Sequence, residues 1–116
     1  MEKPKLILST KLTNAIKRNP KCVDYTFHLK NILVNGQKRG CSGFVKNESN
    51  GSIVYINTEQ SPLMYSRWNH FLYRYADHLK DYSGYSNHFA DTLEELADSV
   101  CRFLEKTPAV AGDSRI

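Results

Sequence analysis

No feature of this chain narrows its fold as far as Asn35-Gly36, which lies between two stretches of β character. Asn and Gly both accept the positive φ that a two-residue type I′ turn requires, and such a turn joins antiparallel neighbours. Before the pair, Val23, Tyr25, Phe27 and Leu29 alternate with Asp24, Thr26, His28 and Lys30, the period of a strand with one buried face. The phase breaks near Asn31, where Ile32, Leu33 and Val34 run consecutively, as at a bulge. After the pair, the stretch from Gln37 to Lys46 returns as the partner strand. Gly40 and Gly43 weaken its strand propensity and mark a bulge or the close approach of another backbone.

A second pair, Asn50-Gly51, closes the turn from Asn47, and Ser52 to Thr58 follows as a strand apolar enough to be central. Glu59 to Trp68 reads as a loop broken by Pro62. Asn69 to Ala76 alternates again, with Phe71, Tyr73 and Tyr75 on one face and His70, Leu72, Arg74 and Ala76 on the other. Asp77 to Phe89 has no periodicity and reads as a loop rich in rings and ionisable groups.

From Asp91 the period changes. Asp91 and Glu94 predict an N-cap and its partner, and Leu93, Leu96, Ala97, Val100, Phe103 and Leu104 form one apolar stripe. Glu94, Glu95 and Asp98 lie towards the positive end of that helix dipole and Lys106 at its negative end, each with the favourable sign. Thr107-Pro108 stops it. At the other end of the chain, Ser9 or Thr10 can cap a short helix through Arg18, ended by Asn19-Pro20; a strand from Lys5 to Thr13 is the competing reading. The expectation is an α+β fold: a four-stranded antiparallel meander with the long C-terminal helix packed on one face, through the side that carries Val23, Tyr25 and Phe27. Residues 1–108 make one domain and 109–116 a frayed tail.

A chain of 116 residues can bury a core without metal or disulfide. Cys22, Cys41 and Cys101 make an odd count with no C-x-x-C pair, which predicts three reduced thiols. No apolar run approaches the roughly 18 residues of a membrane span, and the apolar centre near the N-terminus is short for a signal peptide. A cytoplasmic protein without membrane contact is expected.

Recognised catalytic spacings are missing from the sequence. His28, His70, His78 and His88 show neither H-x-x-x-H nor H-E-x-x-H spacing, and no glycine-rich phosphate cradle occurs. Asp77, Lys80 and Asp81 echo fragments of metal-dependent nuclease sites, but no E-x-K strand motif accompanies them. No catalytic residue, metal or cofactor is therefore expected.

Charge is the remaining signal. Residues 1–50 carry ten Lys or Arg against three Asp or Glu, a balance of +7, while residues 51–116 balance at −3. The two halves can neutralise one another, or the basic half can contact a polyanion. On the second reading Lys30, Lys38, Arg39 and Lys46 of the first hairpin would meet nucleic-acid phosphates, with neighbouring rings as stacking platforms. The order helix, strands, helix invites comparison with double-stranded-RNA-binding domains. Their last helix begins with lysines, whereas here it begins Asp91-Thr92-Leu93-Glu94-Glu95, so that family is set aside.

The stretch Y-R-Y-A-D-H-L-K-D-Y-S-G-Y, Tyr73 to Tyr85, with the amphipathic helix after it, resembles short uncharacterised proteins of Gram-positive phages and mobile elements. The resemblance implies an accessory role, such as modulation of a host enzyme or defence system, and no defined activity. Together with the ring-rich loop it leads to a non-enzymatic binding or regulatory module that acts by protein contact. Tyr82 and Tyr85 are its expected anchors and Arg74 and Lys80 its polar contacts, because Tyr and Arg concentrate at interface hot spots. The alternative is that these rings fold back over the sheet. Direct nucleic-acid binding through the basic hairpin is the second function class.

Overall fold

The computed structural model describes residues 6–59, 71–82 and 88–106. Helix α1, Ser9–Lys17, precedes five strands: β1 Tyr25–Val34, β2 Gln37–Asn47, β3 Ile53–Asn57, β4 Phe71–Tyr75 and β5 His88–Ala90. Helix α2, Leu93–Leu104, comes last. The strands pair antiparallel in chain order, a meander from β1 to β5. The fold is the expected α+β arrangement with five strands in place of four. His88–Ala90 is too short to display an alternation, and its pairing with β4 is a long-range event that the local sequence does not announce.

The turn residues behave as their chemistry demands. Asn35 and Gly36 stand at φ 52° and 78°, both positive, as a type I′ turn requires. The bulge expected near Asn31 is absent from β1 and falls beside Gly40, where the second strand also offered one: Ile32 faces Gly40 and Leu33 faces Lys38, leaving Arg39 as the extra residue and letting β1 run on to Val34. Gly43 explains itself by proximity. A Cβ there would lie 2.0 Å from the carbonyl oxygen of His28, and φ is +141°.

Both helices lie on one face of the sheet. Leu12 and Ile16 of α1 and Leu96, Val100 and Leu104 of α2 join Tyr25, Val45, Val54, Ile56, Phe71 and Tyr73 in one buried cluster, with Phe27 packed against it. Three local expectations change. Residues 6–8 precede α1 without strand pairing, so the helix prevails over the strand from Lys5 to Thr13, whose first residue lies outside the described set. Val23 lies in a 3-10 turn, Cys22–Asp24, and is 84% exposed; sheet pairing begins only at Tyr25 opposite Asn47, so alternation continues past the end of the ladder. The N-cap of α2 is Thr92, not Asp91, and its hydroxyl accepts from Glu95 N at 3.1 Å. The tail predicted for 109–116 lies outside the described residues.

The C-terminus of α2 is bonded into the sheet. Asn47 and Asn50 donate their side-chain amides to the Leu104 carbonyl at 2.8 and 3.0 Å, and the Tyr75 hydroxyl donates to that of Phe103 at 3.1 Å. The Ser52 hydroxyl donates to the Lys106 carbonyl. These bonds satisfy carbonyls that a helix end leaves open, and they fix where α2 stops against β2, β3 and β4. At the opposite end of the sheet, Thr58 Oγ1 donates to Ile7 O at 2.8 Å and accepts from Cys41 N at 2.9 Å, holding the lead into α1.

Two measurements probe this core. Leu96 is fully buried, so Leu96→Ala should lower unfolding free energy by about 2 to 5 kcal/mol in a urea titration. A loss under about 0.5 kcal/mol would take α2 out of the core. Burial also raises the pKa values of the Cys41 and Cys101 thiols and the Tyr25 and Tyr75 hydroxyls, and the hydrogen bond from Tyr25 to Glu105 at 2.5 Å raises Tyr25 further. Each group is neutral when protonated, and the folded state holds its proton more tightly than the unfolded state does. Their stabilisation is complete below the unfolded values, about 8.5 for thiols and about 10 for tyrosines, and declines as pH rises past them. The urea midpoint should therefore fall above about pH 8.5, and Tyr25→Phe should remove part of the loss above about pH 10. A midpoint constant to about pH 11 contradicts this account.

Candidate binding surface

The sheet face away from the helices carries alternate residues of each strand: His28 and Lys30 from β1, Phe44 and Lys46 from β2, Tyr55 from β3, and Leu72 and Arg74 from β4. In register, His28 lies opposite Phe44, Phe44 opposite Tyr55, and Tyr55 opposite Arg74. Among the described residues no helix covers this face. Its centre is nevertheless dry, because Phe44, Ile53 and Ala76 form a second buried cluster flanked by Tyr55 and Leu79.

Arg74 organises the loop that closes over that cluster. Its guanidinium lies 4.7 Å from the centre of the Tyr55 ring, a cation over a π-face. One terminal nitrogen meets Asp81 Oδ2 at 3.4 Å and donates to Tyr75 O at 3.2 Å; the other donates to Asp81 O at 2.5 Å. Asp81 Oδ2 also accepts from Asp77 N at 2.9 Å, so one carboxylate closes the loop on itself and ties it to β4. Arg74 is 6% exposed. It is a positioning residue for the loop, not the surface contact that its sequence neighbourhood predicts. The physical reason is the pleat: an alternating strand places Arg74 beneath the loop that returns over it.

What the clamp presents is Tyr82. Its ring packs edge-on against Phe44 at 5.1 Å and against Tyr55 at 6.0 Å, yet the residue is 65% exposed. Both readings of the loop thus meet in one residue, a ring seated on the second cluster that still shows much of its area to solvent. Lys80 is exposed two positions before it. Tyr85, the other expected anchor, lies outside the described residues.

The basic residues of the first hairpin spread along two strands. Lys30 and Lys38 are exposed. Arg39 donates to Gln37 Oε1 at 2.9 Å, and Lys46 meets Glu48 at 3.5 Å. The hydrogen bond from the Thr26 hydroxyl, and then the Lys46 ammonium, hold the Glu48 carboxyl below its ordinary range. Arg18, after α1, lines a cleft of about 360 Å³ together with Glu94 and Asp98 of α2.

The other chemical candidates stand on separate elements among the described residues, and His70 lies outside them. His28 lies on β1, His78 in the Asp77–Tyr82 loop, and His88 on β5, stacked on Tyr73 at 5.4 Å. Among the described residues no group of three or more His, Cys, Asp or Glu side chains could hold a metal ion. Burial disfavours the thiolate at Cys41 and Cys101. The Arg74–Asp81 clamp has no signal in the sequence, because a strand arginine and an aspartate seven residues later share no motif.

Removing the clamp should expose its structural share. Asp81→Ala leaves Arg74 buried without its carboxylate and should cost about 3 to 5 kcal/mol in urea unfolding, with faster amide exchange over residues 77–82. A cost under about 1 kcal/mol would mean that the loop rests on Leu79 and Tyr82 packing instead. Searches with protein-family models, among curated proteins and among solved structures find no match to this chain.

Proposed function

We propose that this chain is a small non-enzymatic binding module that holds a protein partner on the sheet face opposite the helices, with Tyr82 as anchor and Lys80 beside it. An accessory protein of a phage or mobile element is the setting that the Tyr73–Tyr85 resemblance suggests. The observation that carries the proposal is the clamp. Arg74 and Asp81, with side chains 7% and 14% exposed, hold a short loop so that a 65% exposed Tyr82 stands on Phe44 and Tyr55. A ring ordered before binding loses little conformational freedom on contact and offers a large apolar area with a polar tip. A buried arginine paired in this way is a costly means of holding a loop that serves only to cover a sheet.

The test compares immobilised wild-type protein with Tyr82→Ala in lysate of the natural host, with and without nuclease treatment. Tyr82→Ala should lower the melting temperature by no more than about 4 °C and reduce partner retention at least about tenfold, in a manner indifferent to nuclease. Equal retention by the variant overturns the site. Retention that vanishes with nuclease, and that weakens in Lys30→Ala and Lys38→Ala with a salt slope smaller by about one unit per lost phosphate contact, makes the basic hairpin a nucleic-acid contact instead.

A further inference from the structure

A second surface lies on the edge of the sheet, at β1, one strand over from the Phe44 on which Tyr82 rests. We infer that the outer edge of β1, unpaired among the described residues, takes an extended acidic peptide segment of a partner as an added strand, with apolar side chains towards Phe27 and Leu29 and carboxylates towards His28 and Lys30.

Among the described residues β1 pairs only with β2, so one side of a 10-residue strand keeps its backbone groups unpaired by the sheet. The contrast in burial agrees: Gly40, Cys41, Gly43, Phe44, Val45 and Asn47 of β2 are buried, whereas in β1 only Tyr25 is. Edges are protected by short length, proline, bulges, a covering element or charged side chains; Lys30 is such a charge, and it repels a basic or identical strand, not an acidic one. The β1 edge is long, contains no proline, and has its hairpin's extra residue in β2 at Arg39, so the outer line of β1 stays regular. At its end, Leu33 and Val34 are 62% and 40% exposed.

The pleat then states what the added strand must carry. Phe27 and Leu29 are partly buried against the main core, with the Lys17 ammonium 5.6 Å from the Phe27 ring centre, so an apolar side chain beside them extends an existing surface. On the other face His28 and Lys30 are exposed, and Lys46 lies across from Thr26. Between residues 6 and 50 there are eight Lys or Arg and two Asp or Glu, and one of the two acids, Glu48, already accepts from Thr26 at 2.8 Å. Main-chain hydrogen bonds supply affinity in strand addition, and the side chains at alternate positions supply selection. A second copy of this chain fits poorly, since pairing β1 with itself gathers two Lys30 side chains and two basic hairpins in one place. A phosphate chain would use the charges but neither the backbone edge nor Leu33 and Val34.

The probe is an end-capped, fluorescein-labelled peptide of nine residues that alternates Val and Glu, read by anisotropy and by amide exchange of the full chain. Saturating peptide should slow exchange of alternate amides between residues 26 and 32 at least about tenfold. Lys30→Glu should weaken binding about five- to tenfold, and N-methylation of alternate peptide nitrogens at least about tenfold, while Tyr82→Ala leaves it unchanged. Equal binding of a Val/Lys peptide or of the N-methylated peptide overturns the inference. So does protection of the same amides without peptide as protein concentration rises, which makes a second copy the occupant. Displacement of the peptide by heparin with no peptide-induced change in β1 exchange also overturns it, leaving a polyanion patch only. Loss of peptide binding in Tyr82→Ala would assign the peptide to the other surface.

Discussion

The docking of α2 on the sheet sets the inside and the outside of this molecule. Leu96, Val100 and Leu104 are fully buried against strand residues, and the last carbonyls of the helix are bonded by Asn47, Asn50, Ser52 and Tyr75. Apolar burial supplies the driving force, at about 25 cal/mol per Å² removed from water, but has no direction of its own. The four side-chain bonds supply direction, because they are satisfied only when the helix end meets the β2–β3 turn and β4 together. With α2 in place and α1 beside it, the face of the sheet that carries Tyr25, Val45, Val54 and Tyr73 becomes the inside.

That choice leaves the opposite face to be dealt with by other means. A five-stranded sheet with Phe44, Ile53 and Tyr55 on its outer side would expose a broad apolar patch, a feature that in soluble chains marks contact or aggregation. Among the described residues, six, 77–82, cover the centre and are anchored through a buried ion pair. Part of the ring area is covered and part, Tyr82, is held outward. A cover of so few residues depends on its pin, so local order in the loop and the presentation of Tyr82 are coupled through Arg74 and Asp81. The same economy leaves the flank at β1 without a covering element among the described residues. The two proposed surfaces thus have one origin, in that both helices went to one side.

Much of this architecture is legible in the residues. Both Asn-Gly turns, the alternation in β1 and β4, and the apolar stripe of α2 act within a few residues of themselves, and each element forms where those patterns stand. The departures share a cause, in that a local pattern met a tertiary constraint. Val23 continues an alternation that the ladder no longer supports, and Asp91 offers a cap one position before the residue that makes it. β5 is three residues whose only reason to be extended is the edge of β4 beside them.

The candidate surface divides along the same line. Tyr82 and Lys80 are found at the surface, as their composition suggested, whereas Arg74, read from composition as a contact, is the buried pin beneath them. By itself the sequence determined the hairpin turns, the antiparallel order of the first four strands and the inner stripe of α2, because turn chemistry and hydrophobic period are local properties of consecutive residues. Only the tertiary structure decided which strand face would be covered and which charge would be buried with a partner. It also decided which ring would stand exposed, since a residue's solvent exposure depends on chain segments distant in sequence that fold back over it.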